Sequence, residues 1–273
     1  MPMQRSPENH FKESVERNFD QSVSAYDLFE EKHHLFESLT KRQLEWIAPF
    51  RPTRILDVGC GTGISALALY NSLAPEGSPR IFAIDISEAM LSKAKERCRD
   101  IPGVYFVRGD AENLESFFHE GFDGIFFAAS IFLLPRFRDT IRQACSLLVP
   151  EGVLSVSYYS GLFTEDGEDA ISKACPDLKY HYGAVPFQEL ATCFDAMPDF
   201  RTTWVDFHFE ANREFLFDFL SIPAQSAGLF PKISYLERIP MIRELCAALE
   251  EKAGPVFMGW KFCIARKSLR LAS

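Results

Sequence analysis

The sequence predicts a three-layer α/β fold in which helices cover a mostly parallel sheet, with a helical cap added to it. Two observations carry this prediction. Between residues 54 and 158, short apolar runs alternate with stretches of helical periodicity, as in repeated strand-helix units. Two further long helical stretches, Phe11 to Phe50 and Asn212 to Glu251, stand outside this alternation. They flank the sheet sequence and are rich in aromatic residues, so we expect them to form the cap.

Composition and charge limit the classes of protein to be considered. The chain has 273 residues, enough for one large α/β domain or for a domain with a lid. Its net charge of −9 opposes binding to nucleic acids and to anionic membranes. No apolar run approaches the ~18 residues of a membrane span, and the polar N-terminus is unlike a secretory signal. Seven cysteines without a Cys-x-x-Cys pair fit reduced thiols in a cytoplasmic protein.

The stretch on which the fold is organised is Arg54 to Leu69, which predicts strand, glycine turn and helix. An apolar run ends in Asp57, and Gly59, Gly61 and Gly63 follow at every second position. A dinucleotide loop requires its third glycine one residue later, where Ile64 stands, and no Gly-Lys-Ser/Thr of a P-loop follows. A carboxylate beside the turn would repel pyrophosphate but would suit an ammonium group. An unrelated glycine turn of an α/β protein stays open at this point.

A second buried strand, Ile81 to Asp85, also ends in an acid. In a parallel sheet the end of the second strand lies beside the first turn, so Asp85 can accept hydrogen bonds from ribose hydroxyls. The same arrangement would suit NAD, so this acid alone does not identify the ligand. Ser87 is placed to cap the following helix.

Further apolar runs extend the predicted sheet. The third run ends in Asp110. The fourth is apolar throughout, as a strand covered on both faces should be. Residues 160 to 185 are expected to be an irregular insertion, and Pro223 to Pro231 is expected to separate two helical runs. The remaining predicted strands are Val104 to Asp110, Phe122 to Ser130, Val153 to Tyr159, Thr202 to Phe209 and Val256 to Arg266.

These motifs, in this order, resemble those of class I S-adenosylmethionine (SAM) methyltransferases. The resemblance covers roughly residues 54 to 158. Within the class, the chain is similar to enzymes that methylate small molecules, such as quinone-precursor and malonyl-carrier-protein methyltransferases. It implies a Rossmann-like seven-stranded sheet, mostly parallel, with a terminal antiparallel strand. The segment Phe19 to Asp27 resembles a lid segment found ahead of the domain in many such enzymes; a plain amphipathic docking helix is the alternative.

The resemblance also implies roles for particular residues. Asp57 and the glycines would hold the methionine end of SAM, Asp85 the ribose, and Asp110 the adenine amino group. Ile86 and Met90 would line the adenine pocket, and the end of the fourth strand would meet the reacting methyl. The implied cofactor-binding residues are Tyr26, Asp57, Gly59, Cys60, Gly61, Gly63, Asp85, Ile86, Met90, Asp110, Ala111, Glu112, Ala128 and Ser130. The expected substrate-pocket residues are Phe19, Phe132, Phe163 and Phe187.

The sequence identifies no catalytic residue and no metal site. Many relatives carry a His pair just after the fourth strand, where Phe132 and Leu133 stand here, which puts a histidine base in doubt. A carboxylate acceptor needs no base, whereas a hydroxyl acceptor can require one. The histidines nearest to such a role are His33, His34, His181 and His208.

This interpretation divides the chain into three parts. Residues 1–50 are expected to form an N-terminal helical lid, and 211–253 a helical cap insertion. The SAM-binding core would comprise 51–210 and 254–273. We expect lid and cap to form one mobile cover that orders on cofactor binding, with Tyr26 facing the cofactor.

Three classes of function stay open at this stage. The first is methyl transfer to a small, largely apolar metabolite, with a carboxylate or hydroxyl as acceptor, in a cytoplasmic monomer or homodimer of secondary metabolism. The second is a protein or nucleic-acid methyltransferase; the acidic charge and the lack of Asn/Asp-Pro-Pro-Tyr/Phe after the fourth strand argue against nucleobase methylation. The third is a non-catalytic SAM-binding module. The cysteine spacing gives no support to an arsenite methyltransferase.

Overall fold

A computed structural model of the chain describes residues 7–119, 121–180 and 183–269. Seven strands form one sheet in the order β3-β2-β1-β4-β5-β7-β6. The strands are β1 (Arg54–Val58), β2 (Arg80–Asp85), β3 (Val104–Arg108), β4 (Phe122–Ala128), β5 (Leu148–Thr164), β6 (Phe200–Glu210) and β7 (Val256–Lys267). The helices are α1 (Pro7–Asp20), α2 (Val23–His33), α3 (Leu35–Ile47), α4 (Ile64–Leu73), α5 (Glu88–Arg97), α6 (Phe137–Leu147), α7 (Ala170–Ala174), α8 (Phe187–Asp195), α9 (Arg213–Leu220), α10 (Pro223–Leu229) and α11 (Tyr235–Ala248).

The sheet has the predicted mostly parallel arrangement. β1 pairs in parallel with β2 on one side and with β4 on the other, and β2–β3 and β4–β5 are also parallel. β7 runs against β6, because Ala211 N donates to Val256 O at one end of the pair and Ser268 N donates to Asp199 O at the other. The expectation of a seven-stranded Rossmann-like sheet with one terminal antiparallel strand is confirmed.

The order of the strands creates a switch point between β1 and β4. From β1 the chain first extends the sheet through β2 to β3, and then returns to add β4 on the other side of β1. Open α/β sheets bind their ligands outside the carboxyl ends of the strands at such a point. Both strands that flank it are buried on both faces: Ile55 and Leu56 on β1 and Phe126 and Phe127 on β4 have no exposed surface. The two strands at the switch point therefore lie in the core of the sheet.

The chain divides into two compact units. One unit comprises the described parts of 34–161, 183–208 and 259–273 and contains α3, α4, α5, α6 and α8 together with most of the sheet. In it α3 is tied to β5, since the buried Gln43 Nε2 donates to Ser155 Oγ at 3.0 Å. We call this the sheet unit.

The other unit, here called the helical unit, comprises the described parts of 1–33, 162–182 and 209–258. It joins α1 and α2 to α9, α10 and α11. Ala224 N donates to Ser22 Oγ at 2.9 Å, and Phe29 packs on Phe215 with ring centroids 5.4 Å apart. Lys32 Nζ lies 2.6 Å from Asp218 Oδ2. Helices of the predicted lid and cap segments lie together in this unit, whereas α3 belongs to the sheet unit and the described part of 162–182 joins the helical unit. The division into lid, core and cap stays a prediction.

Two local predictions were wrong. Pro223 does not end a helix but is the first residue of α10, where its fixed φ suits a helix and its missing N–H costs nothing. The segment 212–251 therefore holds three helices rather than two. The expected irregular insertion also begins later than predicted, because β5 continues to Thr164 and α7 follows at Ala170–Ala174.

Candidate functional site

The glycine turn after β1 is held against the end of β2 by backbone and side-chain hydrogen bonds. Gly59 N and Cys60 N donate to Ile84 O at 2.8 and 3.2 Å. Gly61 N donates to Asp85 Oδ2 at 2.8 Å. The turn residues have positive φ angles, +75° at Gly59, +52° at Gly61 and +81° at Gly63, which glycine adopts without steric cost. The predicted neighbourhood of the turn and Asp85 is therefore present.

Asp85 joins three elements through its carboxylate. Its Oδ1 accepts from Ser87 N at 2.9 Å while Oδ2 binds the glycine turn, and Ser87 Oγ in turn accepts from Met90 N at 3.1 Å, capping α5. A carboxylate offers about four lone-pair sites, and these two backbone bonds use two of them. The sequence predicted Asp85 as a ribose ligand and did not indicate that it also shapes the turn.

The carboxylate of Asp57 is buried beside the start of α4. Its side chain has no exposed surface. Oδ2 accepts from Ser65 Oγ at 2.5 Å, whereas Oδ1 has no hydrogen-bond partner among the described residues. Burial raises the pKa of Asp57 to about 7; the Ser65 hydrogen bond opposes this and the charge of Asp85 adds to it. A buried acceptor without a partner is costly, so a cationic donor at this position would stabilise the ionised form. An ammonium group such as that of SAM fits this requirement.

The glycines serve two different purposes. A Cβ on Gly59 would lie 2.5 Å from Ser130 Cβ, so this glycine permits the close approach of β1 and β4. A Cβ on Gly61 would meet no atom within 4 Å, so space is open beside the bond to Asp85. Ser130 completes the contact by donating from Oγ to Val58 O at 2.5 Å. Its hydroxyl therefore links the ends of β4 and β1.

The residues that the sequence predicts near the adenine lie at the 3₁₀ turn after β3, Ala111–Ser116. Asp110 caps this turn, since its Oδ1 accepts from Glu112 N at 2.9 Å. The buried Glu112 instead points its carboxylate at the start of α6, where Oε1 accepts from Arg136 N at 2.5 Å and Oε2 from Arg136 Nε at 2.9 Å. These bonds give Glu112 a supporting role that the sequence did not indicate. Its direct contact with a cofactor stays a prediction.

The remaining residues predicted on this side lie around the same strand ends. Met90 is fully buried, whereas Ile86 and Ala111 are half-buried. Cys60 is also buried, and burial, together with the charges of Asp85 and Asp57, raises the pKa of its thiol well above the usual range. Cys60 is therefore a neutral packing group in the turn rather than a nucleophile.

An aromatic cluster follows β4. The rings of Phe132 and Tyr158 meet edge to face at 5.8 Å between centroids, and Phe187 lies 5.4 Å from Tyr158 and 5.1 Å from Trp204. Tyr158 OH donates to Val185 O at 2.9 Å, and burial raises its pKa. Tyr158 and Trp204 were missed by sequence reasoning. Ala128, the last residue of β4, pairs with Ser157 just before this cluster.

Three predicted residues lie in the helical unit: Phe19 on α1, Tyr26 on α2 and Phe163 at the end of β5. Their contact with cofactor or substrate stays a prediction. Of the histidines considered as bases, His33 pairs with Asp218 at 2.8 Å, His34 lies 3.6 Å from Glu37, and His208 is exposed on β6. His181 lies outside the described residues. Within the described part of the chain, no three His, Cys, Asp or Glu side chains are grouped for a metal, and no helix is long and apolar enough to cross a membrane.

The sequence matches a family model described as a methyltransferase domain over residues 50–198, more than half of the chain. The chain therefore belongs to this methyltransferase-domain family, and the predicted class, the SAM-dependent methyltransferases, is confirmed. The cofactor of this class is SAM, and the buried Asp57, the open glycine turn and Asp85 fit it.

Two curated relatives show where the similarity lies. Malonyl-[acyl-carrier protein] O-methyltransferase of Halalkalibacterium halodurans is 32% identical over 155 residues, covering 54% of this chain and 55% of the relative. Demethylmenaquinone methyltransferase of Bacteroides fragilis is 34% identical over 124 residues, covering 44% and 49%. The chain thus spans about half the length of the curated relatives it matches.

Solved structures share the fold at low identity. The YcgJ protein from Bacillus subtilis superposes with a TM-score of 0.57 at 16% identity, covering 84% of this chain and 99% of that one. The [4+2]-cyclase SpnF has a TM-score of 0.53 at 23% identity, covering 85% and 80%. These matches support the architecture alone, since one of these proteins is described by a different reaction.

The pKa of Asp57 leads to a pH-dependent affinity for the cofactor product, S-adenosylhomocysteine (SAH). Below pH 7 the carboxyl of the free protein is mostly protonated, so an ammonium ligand must displace a proton. The affinity should rise by roughly tenfold per pH unit up to about pH 7 and then flatten. Calorimetry from pH 5.5 to 8.5 measures it, and Asp57→Asn, which does not titrate, is the control. A flat wild-type profile would contradict the assignment of the ammonium to Asp57.

Asp85→Ala should weaken SAM binding by about 1–3 kcal/mol, since buried polar partners are left unpaired. The matched control is Asp123→Ala. Asp123 also accepts two backbone N–H bonds, from Thr53 at 2.9 Å and Arg54 at 2.7 Å, but at the amino end of β1. The two variants should lose similar stability, and only Asp85→Ala should change the dissociation constant. Equal effects of both on SAM binding would show that Asp85 only supports the turn.

Proposed function

We propose that this protein transfers a methyl group from SAM to a small, largely apolar acceptor. The observation that carries the proposal is the buried Asp57, whose Oδ1 has no partner in the part of the chain that the structure describes, beside an open glycine turn that is bound to Asp85. Together these groups match the charge pattern of SAM, which has an ammonium group at one end and ribose hydroxyls nearer to the adenine. They do not match a dinucleotide, because Asp57 would repel a pyrophosphate.

The proposed reaction is an in-line displacement at the methyl carbon of the sulfonium. The acceptor atom forms its bond to carbon while the carbon–sulfur bond breaks, and SAH leaves as the neutral thioether. Because the donor is already activated, the protein contributes mainly proximity and alignment. Aromatic faces near a sulfonium also attract it, and Phe132, with Tyr158 behind it, is the candidate in the sheet unit.

A carboxylate or hydroxyl oxygen is the acceptor that we favour. One curated relative is described as an O-methyltransferase of malonyl-[acyl-carrier protein] and another acts on demethylmenaquinone. An ionised carboxylate needs no base, which agrees with Phe132 and Leu133 standing where a His pair is common. We further propose that the protein acts in the cytoplasm as a monomer or homodimer, on free metabolites and not on nucleic acid, given its net charge of −9.

Two other functions compete with this proposal. A protein or nucleic-acid methyltransferase would bind the same cofactor but a polymeric acceptor. A SAM-binding module without turnover would bind the cofactor alone, and the similarity of the fold to a described cyclase shows that the fold does not fix the reaction.

The first experiment measures binding and turnover together. We expect calorimetry to show binding of SAM and SAH and none of NAD, and methyl-labelled SAM to label a small molecule in a metabolite extract. Malonyl thioesters and reduced naphthoquinones without the ring methyl are defined acceptors to test beside the extract. Label confined to protein or nucleic acid would favour a polymeric acceptor. Binding of SAM without transfer of the label would favour the SAM-binding module without turnover. Binding of NAD with no binding of SAM would refute the cofactor assignment.

We also propose that the helical unit supplies a mobile cap. Its segments α1–α2 and α9–α10 are joined by the Ser22–Ala224 hydrogen bond and by the Phe29–Phe215 and Lys32–Asp218 contacts, so they can order as one body. His34, between α2 and α3, has a φ of +50°, an uncommon value for a residue other than glycine, and it falls where the two units divide.

Hydrogen exchange with and without SAH tests the cap. We expect slower exchange in residues 19–35 and in part of 212–235, in addition to the glycine turn, because a closing cap excludes water from the site. Residues 35–47 of α3 serve as the internal control, since α3 packs within the sheet unit and should change little. Protection limited to the glycine turn and the strand ends would mean that the helical unit is static packing.

A further inference from the structure

The turn that follows β4 contains a residue in a rare backbone conformation. Ala129 has a φ of +54°, in the left-handed region that side chains other than glycine seldom adopt. Its N–H donates to Ser157 Oγ at 2.9 Å. Ser157 is fully buried on the neighbouring strand β5, where it pairs with Ala128. One buried hydroxyl therefore holds this conformation from the side of β5.

The same turn is held from its other side by β1. Ser130 Oγ donates to Val58 O at 2.5 Å, and Ser130 Cβ occupies the space that a Cβ on Gly59 would need. The contacts thus run from Ser157 through Ala129 and Ser130 to the first residue of the glycine turn. They cross the switch point of the sheet between β4 and β1, where ligands bind. Strained residues that are held from both sides in this way are concentrated at functional sites.

We propose that Ser157 is a positioning residue for methyl transfer, because it fixes the β4 turn next to the sulfonium of the cofactor. This proposal rests on the proposed function. A cofactor whose ribose is held by Asp85 and whose ammonium is held by Asp57 would have its sulfur between these two groups, near the glycine turn that Ser130 contacts. The β4 turn is followed at once by Phe132, the first ring of the aromatic cluster on the acceptor side. Because Ser157 is fully buried, we expect it to act through the backbone of Ala129.

The comparison of SAM with SAH gives a readout that needs no acceptor. The two ligands differ only in the methyl group and the positive charge on sulfur, so the ratio of their dissociation constants reports on the groups next to the sulfur. When the hydrogen bond from Ala129 N to Ser157 Oγ is lost, Ala129 is free to leave its left-handed conformation, and we expect the turn to shift. Such a shift changes the environment of the sulfonium but leaves Asp57 and Asp85 in place.

The test uses Ser157→Ala with Ser155→Ala as the matched control. Ser155 lies two residues earlier on the same face of β5, is equally buried, and accepts a hydrogen bond from Gln43 Nε2 at 3.0 Å. Both variants lose one buried hydrogen bond, so both should lower the melting temperature. We expect Ser157→Ala to change the SAM-to-SAH affinity ratio by at least fivefold and Ser155→Ala to change it by less than twofold.

A second substitution tests the role of the backbone. Ala129→Gly in the Ser157→Ala background makes the left-handed conformation accessible without strain. The logarithm of the SAM-to-SAH affinity ratio should then return at least half of the way to its value in the unaltered protein. If Ser157→Ala fails to fold, Ser157→Cys replaces the oxygen by a weaker acceptor of similar size and should shift the ratio in the same direction.

The outcomes separate this proposal from the proposed function. If the unaltered protein binds neither SAM nor SAH, the proposed function fails and this proposal fails with it. If both ligands bind and the two serine variants change the ratio equally, or if Ala129→Gly restores nothing, then Ser157 is a structural residue only and the proposal is overturned. A selective change in Ser157→Ala that Ala129→Gly reverses supports it.

Discussion

The close approach of backbones at the carboxyl end of β1 is the constraint on which the site depends. Gly59 leaves room only for Ser130 of the β4 turn, and a Cβ on Gly63 would lie 2.9 Å from Ala94 Cβ on α5. Protein interiors are packed too densely to absorb such an overlap. The turn is therefore pressed between β4 and α5, and the space that remains open lies at Gly61. Sterics, rather than hydrogen bonding alone, decide where a ligand can enter.

This packing buries Asp57 within range of the charge of a second carboxylate, Asp85. Desolvation and the charge of Asp85 both favour the protonated form of Asp57, so its pKa rises. A site of this kind selects a ligand that is cationic near Asp57 and offers hydroxyl donors near Asp85. The energy that is lost by burying Asp57 is recovered when such a ligand binds, which couples affinity to ionisation.

Much of the sheet could be predicted from the sequence because its strands are covered on both faces and read as continuous apolar runs. The three glycines likewise indicated the turn. The acid two residues before the first of them indicated the class of ligand, since few ligands suit a carboxylate at that position. The role of Pro223 was predicted wrongly because proline both ends and begins helices, and only its neighbours in space decide which. The contacts of Ser157 and Glu112 depend on the register of β4 with β5 and on the position of α6, which no local pattern encodes.

The surroundings of the histidines that were considered as bases bear on which acceptors the site could methylate. Among the described residues, His33 is paired with Asp218 in the helical unit, while His34 and His208 are exposed and lie outside the strand-end turns that form the site. The Cys60 thiol stays neutral, and Tyr158 is held by Val185 O. A site without a strong base can still methylate an oxygen that is already ionised, provided that the acceptor is held in line with the sulfonium. For such an acceptor the protein contributes by holding the reactants in line rather than by transferring a proton. A fixed turn between β4 and Phe132 serves this purpose, and the hydrogen bonds of Ser157 and Ser130 hold the backbone there.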